Sequence, residues 1–369
     1  MTTNLMQASR EWSTRPDEER FTSLTAMQDH FHALDARSKG LVLSSRKLQA
    51  APVQEDPKGL VLLGPGGSPA AMTHWSFGQV AQRAGAPAGY LRDLPAPLAA
   101  DCLNHGLMTR QVEDLGVYLR KDEDAVRLVA CTGPNYGRVR NSEVVDALVK
   151  RFGDGITGTF RVPGEFGKAV EVTKANTTLF AGDRDCFVFL ADEKNRITLP
   201  NRRAGMHGDF ARGFFVWNSE VGSQTLGIAA FLFDYTCCNR IVWGVENFAE
   251  VRIRHTSSAP DRFLEEVVPT IRRFSEANSG NVLRALEAAR NSRIGTKEDR
   301  EERVEAFLSK RFTKSQVAAI ANAHLADEGR PIESVWDAVT GVTAYARTIP
   351  FQAERVDVER EAGKMLLSI

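Results

Sequence analysis

A succession of short apolar segments between residues 115 and 255 most constrains how this chain can fold. GVYLRK and AVRLVACTG alternate apolar and polar residues on either side of an acidic turn at 122–124, which predicts a β-hairpin. Further strands are predicted for GITGTFRVP, TTLFAG, CFVFLAD, GFFVWNSEVG, TLGIAAFLFDYTC and FAEVRIRHT. Because these strands follow one another with only turns between them, they favour an antiparallel or mixed sheet over alternating βα units.

Helical patterns flank this β-rich region. Upstream, Leu24–Ala36 and a segment opened by Thr73 as N-cap are predicted helices. PNYGR at 134–138 predicts a turn before a helix from Asn141 to about Phe152, and after Pro260 the apolar residues recur at helical spacing. The predicted fold class is α+β, with a largely antiparallel or mixed β-sheet, N-terminal helices packed on it and a helical C-terminal third.

These changes of pattern divide the chain into three predicted regions. Residues 1–58 are interpreted as a polar, partly ordered lead-in. Residues 59–258 form a predicted α+β core domain that starts with the strand GLVLLG, and residues 259–369 a helical C-terminal region packed on that core. Within the core domain, Lys194–Arg212 is interpreted as a long basic loop.

The composition is that of an ordinary soluble globular protein. Lys+Arg and Asp+Glu are both 47, which counts against coating nucleic acid by bulk charge but leaves room for a local basic surface. No apolar run reaches the length of a membrane span, and the first residues lack the hydrophobic core of a secretion signal. Five cysteines are an odd number for a disulfide framework. We therefore expect a cytoplasmic protein with free thiols and no membrane partner.

The apolar run FLFDYTCCNRIVWG at 231–244 contains two adjacent cysteines. On a strand, Cys237 and Cys238 point to opposite faces, so they cannot easily share a metal ion. A nearby cation such as Arg240 could activate a thiol, but buried structural cysteines on a strand, with Asn239 beginning the loop after it, are the preferred interpretation. No Gly-x-Ser-x-Gly elbow, phosphate loop or His-Glu-x-x-His motif occurs. The sequence therefore predicts no metal, no cofactor and no catalytic residue.

Arginine and tyrosine recur together on the polar sides of predicted strands and in the turn between them. In FAEVRIRHT, Val251 and Ile253 point to one side while Arg252 and Arg254 point to the other. Such a face can neutralise phosphates and stack bases, and an ordinary solvated strand face is the alternative. The candidate nucleic-acid-binding residues are Tyr118, Arg120, Tyr136, Arg138, Arg140, Arg202, Arg203, Arg252 and Arg254.

Four blocks of sequence stand in a recognisable order. They are MTHWSFGQVAQRAGAPAGYLRDLPAPLAADCLNHGL, CTGPNYGRVRNSEVVDAL, FFVWNSEVGSQTLGIAAFLFDYTCCNRIVWG and WDAVTGVTAYARTIPFQAERVDVEREAGKML. From Met72 to the end, they resemble a prokaryotic family of phage/plasmid-like proteins, itself a domain of unknown function. The resemblance implies a mobile-element setting and no particular activity. Arg240 departs from the family pattern, which usually has Gly after Cys-Asn.

One leading function and two alternatives follow. We expect a mobile-element-associated DNA-binding accessory protein, with single-stranded DNA as its partner, that acts in phage or plasmid replication, recombination or defence evasion. The first alternative is an enzyme with a polar pocket around Asn218, Glu220 and Asn239, helped by Cys238 or His74. His74 itself is more simply a helix-start or core-edge histidine. The second alternative is a homo-oligomeric interaction protein without chemistry.

Overall fold

The computed structural model describes residues 16–54, 56–122, 125–162, 171–175, 177–203, 206–234, 239–241, 251–276, 280–349 and 352–366. Its strands are β1 (Arg20–Phe21), β2 (Ser38–Ser44), β3 (Gln49–Pro52), β4 (Leu60–Leu63), β5 (Pro69–Met72), β6 (Asp114–Asp122), β7 (Ala125–Thr132), β8 (Phe160–Arg161), β9 (Leu179–Ala181), β10 (Cys186–Asp192), β11 (Ile197–Arg203), β12 (Met206–Asn218), β13 (Leu226–Asp234), β14 (Asn239–Ile241) and β15 (Val251–Ile253). Its helices are α1 (Leu24–Ala36), α2 (His74–Ala84), α3 (Ala88–Asp93), α4 (Ala96–Thr109), α5 (Asn141–Phe152), α6 (Ala259–Arg262), α7 (Val268–Glu276), α8 (Gly280–Asn291), α9 (Arg300–Leu308), α10 (Lys314–Glu328), α11 (Val335–Ala346) and α12 (Gln352–Leu366). A π-helical turn, Phe263–Val267, joins α6 to α7. The predicted α+β class is confirmed.

A six-stranded sheet, counted over the described residues, occupies the first part of the chain. Its order is β2-β6-β7-β5-β4-β3, and the one parallel pair among these neighbours is β5 with β7. The predicted hairpin forms between β6 and β7, and a β-bulge after Tyr118 interrupts its register. Strands β2 and β3 come from the segment interpreted as a polar lead-in, so the sheet begins before residue 59.

Helices α2, α3 and α4 contribute to the apolar core of this sheet. Thr73 caps α2 by accepting a hydrogen bond from the Ser76 N–H (3.1 Å), as predicted. Helix α4 approaches α2 closely at Gly106, where an added Cβ would lie 2.0 Å from the Ala84 carbonyl oxygen. The shared core includes Leu62, Phe77, Val80, Leu103, Leu115, Val117 and Leu128. Burying these apolar side chains is the main force that holds helices and sheet together.

A nine-stranded sheet, again counted over the described residues, is wholly antiparallel. Its main path is β1-β9-β10-β12-β13-β14, with β8 on β10, β11 on β12 and β15 on β13. Every residue of β13 is buried, which confirms the prediction of a buried strand, but the strand ends at Asp234, and Asn239 begins β14 where a loop was predicted. Helices α1, α5 and α7 pack on one face, in a core that includes Leu24, Val144, Leu148, Val188, Phe214, Val216 and Ile271.

The opposite face of the large sheet carries a group of aromatic rings beneath α12. The ring centres of Phe215 and Trp217 are 5.1 Å apart. Two glycines on neighbouring strands make room for such rings, because an added Cβ at Gly227 would lie 2.1 Å from Trp217 and one at Gly213 would lie 2.3 Å from Phe231. Each ring therefore covers backbone that has no side chain of its own.

Helices α8 to α12 form an apolar cluster with the end of the large sheet that is remote from Asn218. Trp336 on α11 is buried and meets Phe210 of β12 edge-to-face at 5.7 Å between ring centres. Ser334 caps α11 and Thr313 caps α10 through their side-chain oxygens. The helical C-terminal third thus packs directly on β11, β12 and β13. In the described part of the chain, no helix is both long and apolar enough to cross a bilayer.

The segment Lys194–Arg212 differs from its prediction as a long loop. Strands β11 and β12 instead form a hairpin there. Ile197, Leu199 and Phe210 are buried against the C-terminal helices. The interpretation as a loop was wrong because frequent charged and polar residues hid this short alternation, and the helices that bury the apolar side are distant in sequence.

Candidate functional site

The loop between β12 and β13 joins the two sheets. Glu220 and Val221 are buried in it, although connecting loops usually run over the surface. From α2, the indole N–H of Trp75 and the amide of Gln79 donate to the carbonyl oxygen of Val221 at 3.0 and 2.8 Å. The amide oxygen of Gln79 accepts in turn from the Cys131 N–H of β7 at 2.8 Å. The loop of the large sheet is therefore bonded to a helix that also holds the smaller sheet.

Glu220 places a carboxyl group at the centre of this contact, and the residue is only 7% exposed. One carboxyl oxygen accepts from the backbone N–H of Asn141 at 2.6 Å, and the Tyr118 hydroxyl lies 3.5 Å from the other. Burial raises the pKa of Glu220, against the hydrogen bond from Asn141 and the charges of Arg120 and Arg138. We name this group of residues, Tyr118, Arg138, Asn141, Asn218 and Glu220, the Glu220 junction.

Arg138 brings a positive charge into the Glu220 junction. Its Nε–H donates to the carbonyl oxygen of Glu220 at 2.9 Å. Its guanidinium carbon lies 4.0 Å from the ring centre of Tyr118 and 5.4 Å from that of Tyr136. Burial lowers the pKa of Arg138, because its loss of hydration outweighs the nearby groups that would raise it, Tyr118, Tyr136 and Glu220. Arg138 thereby fastens the segment between β7 and α5 onto the buried loop.

Asn218, fully buried at the end of β12, completes the Glu220 junction. Its amide nitrogen donates to the carbonyl oxygen of Val139 at 2.9 Å and to the side-chain oxygen of Asn141 at 2.8 Å. Because both partners are acceptors, the orientation of the Asn218 amide is determined. Its own oxygen has no hydrogen-bond partner among the described residues. Asn218 thus ties the large sheet to the start of α5.

Tyr136 and His255 form a stacked pair beside the Glu220 junction. Their ring centres are 4.9 Å apart with 25° between the planes, and the Tyr136 hydroxyl donates to the carbonyl oxygen of Ser219 at 2.7 Å. His255 Nδ1 lies 3.0 Å from the Gly137 carbonyl oxygen, so this nitrogen carries the proton. Burial lowers the pKa of His255, and the ring is neutral at physiological pH. Gly137 is required here, because an added Cβ would lie 1.8 Å from the Thr256 carbonyl oxygen.

The structure unites two sets of residues that the sequence treated as rival sites. Around Asn218 and Glu220 of the proposed pocket it gathers Tyr118, Arg120, Tyr136, Arg138 and Arg140. The interpretation of Tyr118 as a base-stacking residue is wrong, because its ring is 1% exposed and covered by Arg138. Tyr118 was assigned to a polar face by its alternation with apolar residues, but Arg138 and the loop at Glu220 cover that face.

Two of the gathered arginines remain half-exposed. Arg120 donates from Nε to the Ser38 hydroxyl at 3.2 Å, and a guanidinium nitrogen of Arg140 lies 3.2 Å from the Asp35 carboxylate. The Arg140 side chain is 43% exposed, so this ion pair contributes little to stability. Both side chains border the Glu220 junction and still reach solvent.

Other predicted residues lie away from the Glu220 junction. Asn239 pairs with Asp234, which pairs with Phe210 on β12, eight residues before Asn218. Eight strand residues span roughly 26 Å, so the predicted pocket of Asn218, Glu220 and Asn239 is wrong as a single site. Arg202 and Arg203 lie on β11, beside the beginning of β12 and still further from its Asn218 end. The side chains of Asn239, Arg202 and Arg203, and Cys237 and Cys238 altogether, lie outside the described residues.

Arg252 and Arg254 are placed as the alternation predicted. Ile253 is buried while both arginines are exposed, and β15 pairs with β13 at the edge of the large sheet. The Arg252 guanidinium carbon lies 5.8 Å from the ring centre of Trp217. His255 follows directly and stacks on Tyr136, and both rings are half-exposed. We name Tyr136, Arg252, Arg254 and His255 the β15 surface.

A further basic group was missed by the sequence analysis. Arg92 donates to the carbonyl oxygen of His74 at 3.0 Å, and the Arg184 guanidinium carbon lies 5.7 Å from the ring centre of Trp75. His74 is half-buried at the start of α2, as its interpretation required. Arg92 and Arg184 each stand beside aspartates in the sequence, so neither suggested a local excess of charge. Only the folded structure shows that Arg92 and Arg184 lie near His74.

Comparison of the chain with family models, with curated proteins and with solved structures finds no match. The resemblance to phage/plasmid-like proteins therefore stays a prediction.

Proposed function

We propose that this protein is a DNA-binding accessory protein that takes single-stranded DNA on the β15 surface. One observation carries the proposal. Arg252 on the edge strand β15 and Arg254 just after it are both exposed, and the half-exposed ring of His255, stacked on Tyr136, follows directly. Sites that bind single-stranded DNA usually combine positive charge along the sugar-phosphate backbone with aromatic rings on which the bases stack.

Each group on the β15 surface has a counterpart in a single strand. The guanidinium groups of Arg252 and Arg254 can pair with successive phosphates, which positions the strand without reading its sequence. Tyr136 and His255 present neutral rings, on which bases stack with little sequence preference. Paired bases inside a duplex would not reach these rings, so the surface favours single strands.

The setting of the proposed function comes from the resemblance to phage/plasmid-like proteins. A protein of a mobile element meets single-stranded DNA during phage or plasmid replication, recombination or defence evasion. The zero net charge is compatible with this role, since binding depends on the local surface and becomes strongly dependent on salt.

Fluorescence anisotropy of a labelled oligonucleotide tests the proposal. The double variant Arg252→Ala/Arg254→Ala and the wild type are titrated at several salt concentrations, with a duplex of the same sequence alongside. Each phosphate contact contributes about 0.7 to the slope of log affinity against log salt for single strands, so losing two should reduce the slope by about 1.4. We expect weaker binding of the single strand by the variant.

A matched control removes two exposed arginines elsewhere. Arg293 and Arg303 lie in the C-terminal helical region, with side chains 63% and 66% exposed, and their replacement by Ala changes the net charge equally. The control should retain the wild-type affinity and salt slope. If the folded Arg252→Ala/Arg254→Ala protein binds as tightly as the control, or if neither binds at low salt, the proposed function is overturned.

A further inference from the structure

A cavity of about 390 Å³ opens beside the start of α2. Strands β4 and β5 and helices α2, α3 and α4 contribute to its walls. The apolar part of the wall includes Met72, Phe77 and Leu91, and the polar part includes Asp56, Lys58, His74 and Arg92. This volume is typical of sites for small organic ligands.

Arg92 brings a positive charge to a cavity whose wall also contains Lys58 and Asp56. Its guanidinium donates to the carbonyl oxygen of His74 and lies 4.9 Å from the ring centre of Phe77. Within the described ranges, no carboxylate lies at ion-pair distance from Arg92. The contact with Phe77 and the hydrogen bond to His74 hold the Arg92 guanidinium in place. Its remaining N–H groups can donate to another acceptor.

Arg184 adds a second guanidinium group near His74. It lies over Trp75, which adjoins His74 in α2, and its side chain is 22% exposed. Its Nε has no hydrogen-bond partner among the described residues and lies 3.7 Å from the exposed carboxylate of Asp183. Burial lowers the pKa of both His74 and Arg92, and the charge of Arg184 lowers each further. The guanidinium groups of Arg92 and Arg184 therefore lie near the imidazole of His74, and the exposed carboxylate of Asp183 lies beside Arg184.

We propose that Arg92, Arg184 and His74 bind the phosphate group of a small phosphate ester whose organic part enters the cavity beside α2. A phosphate group accepts hydrogen bonds from guanidinium forks in pairs and would offset the repulsion between the two arginines. The apolar wall at Met72, Phe77 and Leu91 would cover the organic part. This site is separate from the β15 surface and does not rest on the proposed binding of single-stranded DNA.

Isothermal titration calorimetry with 2′-deoxyadenosine monophosphate and with inorganic phosphate tests the proposal. The variants are Arg184→Ala and Arg92→Met, the latter keeping an unbranched stem over Phe77, and Arg293→Ala is the control. Since charge-assisted hydrogen bonds are about twice as strong as neutral ones, each variant should weaken binding of the monophosphate about tenfold or more. Circular dichroism confirms that each variant is folded. Absence of binding, or equal affinity in all proteins, overturns the proposal.

Two oligonucleotides, one with and one without a 5′ phosphate, separate a free ester from a DNA end. Tight binding of the monophosphate, with no difference between the oligonucleotides, supports the site for a small ester. If the monophosphate fails to bind while the 5′ phosphate strengthens oligonucleotide binding in an Arg184-dependent way, the assignment to a small ester is overturned. Unchanged binding of the unphosphorylated strand by Arg184→Ala keeps this test independent of the β15 surface.

A second readout separates binding from a structural role of these groups. An anion between the two arginines should raise the pKa of His74. NMR of the imidazole resonances measures this pKa, and the variant His74→Gln identifies the resonance of His74. Addition of the monophosphate should shift the titration of His74 to higher pH in the wild type and less in Arg184→Ala. Purely structural arginines would leave the titration unchanged by the ligand, and that result counts against the proposal.

Discussion

Replacement of Asn218 by Ala measures how much the Glu220 junction contributes to folding. The variant loses hydrogen bonds of 2.9 and 2.8 Å and leaves two acceptors, the Val139 carbonyl and the Asn141 side-chain oxygen, without their donor in a fully buried place. Each such loss costs about 1–3 kcal/mol, and removal of the unsatisfied Asn218 oxygen returns part of the sum. We expect Asn218→Ala to lower the free energy of unfolding by about 3 kcal/mol.

Urea denaturation, followed by tryptophan fluorescence and by far-ultraviolet circular dichroism, measures this loss. Asn104→Ala is the matched control, because Asn104 also makes two hydrogen bonds, of 2.9 and 2.7 Å, both to the backbone of Ala50. Asn104 is half-buried, so water can replace its amide, and we expect a loss of about 1 kcal/mol. The difference between the two variants isolates the effect of burial.

The result that would refute this reasoning is an Asn218→Ala protein as stable as the wild type or more stable. Such an outcome is typical of residues kept for activity at a cost in stability. It would mean that Asn218 does not fasten β12 to α5, and it would return the polar group at Asn218 and Glu220 to consideration as an active site. A loss of stability well above that of Asn104→Ala supports the structural role.

Two further predictions concern the same region. Burial raises the pKa of Glu220 in the folded protein above the ordinary glutamate value of 4.5. As the pH rises from 4.5 through the raised pKa, the wild type should therefore lose stability relative to Glu220→Gln. Urea denaturation between pH 4 and 8 measures this loss, and a stability difference that does not change with pH would contradict the prediction. Gly137→Ala would place Cβ 1.8 Å from the Thr256 carbonyl oxygen and should cost about 1–3 kcal/mol or more, whereas Gly64→Ala, with nothing within 4 Å, should be nearly neutral by the same assay. Equal stability of the two glycine variants in urea would show that the surroundings of Gly137 can accept a side chain.

Local sequence patterns predicted many of the elements. Leu24–Ala36 and Asn141–Phe152 are helices as expected, and β6, β7, β10 and β13 are strands as expected. These elements carry their own signals: apolar spacing along one face, a capping Thr73 in α2, and alternation in Val251–Arg254. Long-range partners merely stabilise what the local sequence already prefers.

The division into two sheets and the Glu220 junction could not be predicted in this way. The junction joins Tyr118, Arg138 and Glu220, which are far apart in the chain, and each alone resembles an ordinary polar residue near a turn. Burial decides whether such a residue binds a ligand or holds the fold, and burial depends on the final packing. The same holds for Arg92 and Arg184, whose neighbouring aspartates made them appear balanced.

The aromatic rings over Gly213 and Gly227 have a consequence for how this sequence can change over evolutionary time. Trp217 fills the space above Gly227, and Phe231 fills the space above Gly213, each across a pair of neighbouring strands. A side chain cannot be gained at either glycine unless the opposing ring is first lost or made smaller. We therefore expect related sequences to exchange these residues in pairs, and a lineage that has lost Trp217 is the one in which Gly227 becomes free to vary.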